Sequence, residues 1–237
     1  MASSLSTVNE TTKTKKLWGD LERSILQGKG IDIGCGPDPV GPDVRKFDVE
    51  HGDANQITKH VYEEFDFVFS SHCLEHMTNP REAILEWWKL VRIGGYLFFI
   101  VPDEDLYEQG VFPSRFNGDH KATFTISKAN SWSAVSINVL DLVRSLPGSQ
   151  LVKLVLQDSG YDRRKLKHGR HSPVHHWLRR AYWKYVRLTN GQSLQKPTLT
   201  ASIWQRFLDD QTVRPDVVAQ IQCIVKKMPA TSDTLPL

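Results

Sequence analysis

The stretch Gly30-Ile31-Asp32-Ile33-Gly34-Cys35-Gly36-Pro37-Asp38-Pro39 constrains the fold more than any other part of the chain. It reads as a short buried strand that breaks into a tight glycine turn, with an acid inside the strand. Two glycines let a ligand lie against bare backbone, where a Cβ would collide with it. A dinucleotide fingerprint would want a third glycine at position 39 and an open helix N-terminus for the pyrophosphate. Position 39 is Pro, and Asp38 repels phosphate. The turn therefore suits a nucleoside ligand without phosphates. Taken alone, it could equally be an ordinary strand-to-turn glycine pair.

The following residues narrow the choice. Lys46-Phe47-Asp48-Val49 is a second short strand ending in an acid, placed to accept both hydroxyls of a ribose. In Gly52-Asp53-Ala54, Asp53 can accept from an adenine amino group while Ala54 leaves room for the ring. S-adenosylmethionine is the obvious ligand. Phe65-Asp66-Phe67-Val68-Phe69-Ser70-Ser71 is a buried parallel strand running into His72-Cys73-Leu74-Glu75-His76. A helix from about Pro80 to Val91 is expected to stop at Gly94-Gly95, before the buried strand Tyr96–Pro102. Strands alternating with helices imply a doubly wound α/β sheet.

Asp32-x-Gly34-x-Gly36, Asp48, Gly52-Asp53-Ala54, Phe65-Asp66-x-Val68, Leu74-Glu75-His76 and Gly94-Gly95 together resemble a class I S-adenosylmethionine-dependent methyltransferase of the small Leu-Glu-His-turn type. The resemblance covers roughly residues 28–125. Gln211-Thr212 and Ala219–Lys227 are similar to the last antiparallel strand of methyltransferases of bacterial surface-polysaccharide synthesis. It implies a Rossmann-like sheet of seven strands, the last antiparallel. It also implies cofactor contacts from Asp32, Gly34, Gly36, Asp48, Asp53, Ala54, Ser70, Ser71 and His72. One departure stands out: residues 37–45, carrying Pro37, Pro39, Gly41 and Pro42, cannot form the usual first crossover helix.

The domain organisation follows. Residues 1–27 form an N-terminal helix and tail, 28–160 the cofactor-binding core, 161–210 a basic aromatic insertion, and 211–237 the final strand and tail. Leu151–Asp158 reads as strand six and Ala219–Lys227 as strand seven, with the insertion between them far longer than a hairpin loop. Residues 1–160 hold 16 Lys and Arg against 22 Asp and Glu, a net of −6; residues 161–237 hold 14 against 5, a net of +9. Val174 to Leu188 has helical spacing, with Val174, Trp177, Leu178, Ala181, Tyr185 and Leu188 on one face and Arg179, Arg180, Lys184 and Arg187 largely off it. Such a helix packs on the domain, lies against anionic lipid or a lipid-linked pyrophosphate, or binds nucleic acid. No apolar run is long enough to span a membrane, and residues 1–14 lack the apolar core of a signal peptide. Cys35, Cys73 and Cys223 are scattered and read as reduced core thiols. A cytoplasmic location is expected, with peripheral contact at the inner membrane face as an extension.

Methyl transfer to a hydroxyl needs a general base, a task suited to histidine. His120, in Asn117-Gly118-Asp119-His120, and His76 are the catalytic candidates. Ordinary alternatives are a turn-holding role for His76 and a surface lid position for His120. Tyr107, Arg115 and Asn117 are the candidates for a sugar acceptor, although Tyr107 and Phe116 could also be lid core. His72-x-x-Glu75-His76 matches an inverted zinc-protease motif, against which its neighbours argue. Resemblance to small-RNA 3′-terminal 2′-O-methyltransferases would place a divalent metal on His72, Glu75, His76 and His120, with His replacing Glu at the first position; hydrogen-bonding roles are the preferred reading. The reaction expected is O-methylation of a sugar in a bacterial surface glycan or its precursor. RNA or protein methylation through the basic insertion, or a catalytically silent scaffold, are the alternatives.

Overall fold

The computed structural model describes residues 10–167 and 210–229. Its main sheet has six strands: β1 (Gly30–Ile33), β2 (Arg45–Phe47), β3 (Phe65–Ser71), β4 (Val91–Pro102), β7 (Ser149–Gln157) and β8 (Gln220–Lys227). They lie in the order β2-β1-β3-β4-β8-β7. The first four are mutually parallel. Strand β8 runs antiparallel to both its neighbours. Short strands β5 (Thr123–Thr125) and β6 (Ser136–Asn138) pair separately. The helices are α1 (Glu10–Lys15), α2 (Asp20–Ile25), α3 (Pro80–Lys89) and α4 (Val139–Arg144).

Among the described residues, this Rossmann-like sheet has one strand fewer than expected. Between β2 and β3 the chain forms a 3-10 segment, Ala54–Lys59, in place of an outer strand. Asp53 caps it by accepting from Asn55 N at 2.9 Å, and Ile57 and Val61 anchor it in the core. The shortened first crossover is present: residues 34–44 contain turns and no helix. The 161–190 helix falls almost wholly in residues 168–209, outside the described residues, as does most of the 161–210 insertion.

Alternation along the central strands serves both faces. In β4, Leu97, Phe99 and Val101 join the core beneath α3 and α4, while Phe98 and Ile100 point into the opposite cluster. Trp18 closes that second face with its ring 5.5 Å from Phe98 and 5.8 Å from Phe69. Helix α3 starts at Pro80, whose missing N–H is no loss in a first turn. Its Ala83, Ile84, Trp87 and Trp88 face the sheet at helical spacing.

The helix ends at Lys89, earlier than Gly94-Gly95 suggests. Those glycines lie inside β4, beside an irregularity in its register with β3. Gly94 has φ +81°, and a Cβ on Gly95 would stand 2.7 Å from the Asp66 carbonyl oxygen. The pair therefore serves close strand approach rather than helix termination. Cys35, Cys73 and Cys223 are buried free thiols. None of the described helices is long and apolar enough to cross a membrane.

Candidate active site

Strands β1 to β4 end on one side of the sheet, and the candidate residues follow those ends. After β1, Gly34 takes φ +73° and Gly36 φ +51°. A Cβ on Gly34 would lie 2.5 Å from Cys73 Sγ, whereas one on Gly36 would meet nothing within 4 Å. Gly34 thus packs against the neighbouring loop, and Gly36 presents the bare face. Asp48, beyond β2, accepts from Gly36 N at 2.6 Å and from Val49 N at 2.7 Å. Asp32 is buried and accepts from Val40 N at 2.7 Å, bracing the loop from beneath. Burial pushes its carboxyl up to about 7. Asp38 is turned away to α1, where it accepts from Thr12 N at 2.7 Å.

Asp53 uses Oδ1 to hold the Asn55 backbone and side chain, which keeps its exposed carboxyl below the usual range. The Ala54 carbonyl accepts from Trp87 Nε1 at 2.9 Å. Ser70 donates to the Ile33 carbonyl at 2.9 Å and is structural, while Ser71 Oγ is buried with no hydrogen-bond partner among the described residues. The open Gly36 face, the adjacent Asp48 carboxylate and the orphaned Ser71 hydroxyl fit a nucleoside ligand. When bound there, S-adenosylmethionine supplies the electrophilic methyl group.

Beyond β3 the chain turns sharply, with His72 at φ +54°. Such a conformation is costly for a residue with a Cβ and marks a site held by its surroundings. His72 N donates to the Ile100 carbonyl at 3.0 Å, and Nε2 lies 2.9 Å from Gln220 Oε1. Nδ1 is 3.4 Å from Glu75 Oε1. Burial pulls the imidazolium down, but Glu75 outweighs it and raises the group to about 9. Leu74–His76 forms a single 3-10 turn, so the two histidines of the protease-like pattern never share a helix face. The zinc-protease reading fails on that geometry.

The segment after β4 supplies the opposite wall. His120 and Glu108 are both buried, with His120 Nδ1 2.7 Å from Glu108 Oε1. His120 is thus part of a buried pair, not an exposed lid residue. Tyr107 stacks on His120 at 5.2 Å and meets Phe116 edge-on at 5.7 Å. His76 Nδ1 lies 3.1 Å from Asp119 Oδ2, and its ring centre is 5.0 Å from that of His120. His72, Glu75, His76, Tyr107, Asn117 and His120 line a cavity of about 220 Å³. Arg115 is not among the lining residues; its guanidinium stands over the Phe116 ring at 5.3 Å.

Glu10, Thr212, Ala219 and Gln220 complete the lining and are not among the site residues the sequence suggests. No local pattern announces them, because they come from chain regions about 200 residues apart that meet only in the fold. Glu108 stood next to Tyr107 in the sequence, but its pairing with His120 had no periodic signal.

A family model described as "Methyltransferase domain" matches residues 37–99. That match, which runs from the loop after β1 into β4, supports methyl transfer with S-adenosylmethionine as the cofactor. No curated protein matched the chain. Among solved structures, coclaurine N-methyltransferase is 14% identical, with 95% of this chain and 74% of that one covered and a TM-score of 0.48. Phosphoethanolamine N-methyltransferase 2 of Haemonchus contortus is 12% identical, with 95% and 54% covered and a TM-score of 0.45. The [4+2]-cyclase SpnF is 14% identical, with 96% and 84% covered and a TM-score of 0.46.

Proposed function

We propose that this methyltransferase acts on a hydroxyl group, most simply that of a sugar in a bacterial surface glycan or its activated precursor. The observation that carries the reading is the Glu108–His120 pair, joined at 2.7 Å and opening into the cavity. Glu108 holds His120 Nδ1 as the N–H tautomer, so Nε2 is the basic nitrogen. The acceptor oxygen attacks the methyl carbon as the sulfonium C–S bond breaks, and the hydroxyl proton passes to His120 Nε2. The Glu108 carboxylate then stabilises the imidazolium. S-adenosylhomocysteine leaves as a neutral thioether.

A cavity of about 220 Å³ takes a single ring. Tyr107 offers that ring an apolar face, and Asn117 offers hydrogen-bonding groups. The nine Lys and Arg of residues 161–190 would receive the phosphates of a nucleotide-linked or lipid-linked sugar. His120→Ala should lower turnover by about 10²–10⁴ while leaving S-adenosylmethionine affinity unchanged. Methyl transfer to a panel of nucleotide sugars and glycan oligosaccharides, with calorimetry of the cofactor, measures both. Equal turnover by wild type and variant would remove the base assignment.

A further inference from the structure

We propose that Gln220 is a positioning residue: it holds His72 as an imidazolium, and that cation keeps the Glu75 carboxylate ionised beside the base His120. The inference comes from a line of side-chain hydrogen bonds buried on the α2 side of β8. Glu22 Oε1 accepts from Gln222 Nε2 at 2.6 Å and from Lys153 Nζ. Gln222 Oε1 accepts from Gln157 Nε2 at 2.8 Å, and Gln157 Oε1 accepts from Gln220 Nε2 at 2.7 Å. Gln220 Oε1 then lies 2.9 Å from His72 Nε2. Glu22, Gln222 and Gln220 are all buried.

The direction of this line is not free. An ionised carboxylate only accepts, and an amide has one accepting end and one donating end. Glu22 therefore obliges Gln222 to turn its nitrogen toward it and its oxygen toward Gln157. The same constraint passes through Gln157 to Gln220, whose oxygen is left facing His72. Burial works against the charge of Glu22, but Lys153 and Gln222 are among the groups that outweigh it and hold its carboxyl below the ordinary value. Thr14 fixes the same end of Gln220 independently. Its hydroxyl donates to the Glu10 carbonyl at 2.9 Å and accepts from Gln220 Nε2 at 3.0 Å.

His72 Nε2 must then carry a proton. Its other nitrogen, Nδ1, faces Glu75 Oε1 at 3.4 Å, where a bare lone pair would meet a buried carboxylate. Both nitrogens are therefore protonated. The carboxylates that face His72 are Glu75 from its own turn and Glu10 from α1, and both favour the cation. Burial alone would raise the Glu75 carboxyl; the imidazolium outweighs burial and keeps it low.

This pair borders the reacting groups. One Glu75 oxygen lies within 4.8 Å of a ring nitrogen of both His76 and His120. Ionised Glu75 thus stabilises the positive charge that His120 gains when it takes the acceptor proton. This last step rests on the reading of His120 as the base. His72, with no lone pair left, is excluded from that task.

Long-range proton–nitrogen NMR correlation spectra of the isotope-labelled full chain distinguish a doubly protonated ring from either neutral tautomer. The His72 signals are identified by their loss in His72→Asn, since asparagine tolerates φ +54°. At about pH 8, above the ordinary histidine range, wild-type His72 should carry protons on both nitrogens. Gln220→Met should show a substantial neutral fraction, and Gln220→Glu, which again offers an oxygen, should keep the wild-type pattern. With a sugar acceptor, Gln220→Met should lower kcat about 10-fold and leave the KM for S-adenosylmethionine within about twofold, with Gln220→Glu restoring the rate. A bare nitrogen on wild-type His72, or a Gln220→Met ring indistinguishable from wild type, would overturn the inference; unchanged kcat in Gln220→Met would overturn its catalytic part. The expected spectra with no sugar methylated would keep the His72 assignment and remove the acceptor reading. Methylation of a sugar by protein whose His72 is neutral would do the reverse.

Discussion

Replacing Asp32 by asparagine separates the cost of its charge from the use of its shape. The carboxyl is buried, and burial moves its pKa from 3.8 to about 7. Between those values the folded protein keeps a proton that the unfolded chain has lost. Raising the pH through this window therefore favours unfolding, and the stability contributed by Asp32 falls until about pH 7 and then levels off. Asparagine has no such titration, and its carbonyl can still accept from Val40 N, which lies 2.7 Å from Asp32 Oδ2. From the two pKa values, the stability of Asp32→Asn relative to wild type should rise by about 2.5 kcal/mol between pH 5 and pH 8. His72, raised to about 9, favours folding at low pH and loses that contribution as pH rises toward 9; it does so in both proteins and cancels. Urea unfolding of both proteins at the two pH values, without cofactor, measures the difference. A gap that stays constant to within about 0.5 kcal/mol, or shifts in favour of wild type, would refute burial as the dominant influence on Asp32.

Other outcomes follow from the same geometry. Asp48→Ala should weaken S-adenosylmethionine binding by roughly 10- to 150-fold, the cost of losing a charged hydrogen-bond acceptor; unchanged affinity by calorimetry would remove the ribose assignment. Gly34→Ala places a Cβ 2.5 Å from Cys73 Sγ at φ +73° and should cost about 2–5 kcal/mol. Gly36→Ala meets nothing within 4 Å, so it should cost only about 1–2 kcal/mol in stability while weakening cofactor binding; comparable unfolding midpoints for the two variants would contradict this division of roles. Burial raises the thiols of Cys35, Cys73 and Cys223, so the native protein should react slowly with Ellman's reagent while the unfolded chain yields all three; rapid labelling of the native protein would be inconsistent with their burial.

Features written in short range were legible in the sequence. The strand Phe65–Ser71 has the residues and bounds that its apolar run indicates, and the glycine turn lies at the end of its strand. The missing outer strand was not legible, because residues 49–64 have apolar anchors but owe their form to the Asp53 cap. Gly94-Gly95 misled for a related reason: glycine is equally at home ending a helix and admitting a neighbouring backbone, and only the Asp66 carbonyl decides between them. At the site, the types of residue were visible and their partners were not. Glu108 and His120 meet through a loop with no repeating pattern, and the His72–Gln220 contact joins residues 148 positions apart.

Helix α1 contains only six residues, yet it makes contact with three distant parts of the chain. Thr12 holds Asp38, Lys13 donates to the Thr212 carbonyl, and Gln220 Nε2 donates to Thr14 Oγ1 at 3.0 Å. During synthesis, therefore, α1 is made before all three of these partners and lacks two of them until residues 212 and 220 have been made. The glycine loop, the parallel strands and α3 can assemble in the meantime, with the cavity wall next to His72 still open. A segment made early is then among the last to be fixed, and its docking closes the cavity that Glu10 and His72 line at the moment β8 joins the sheet.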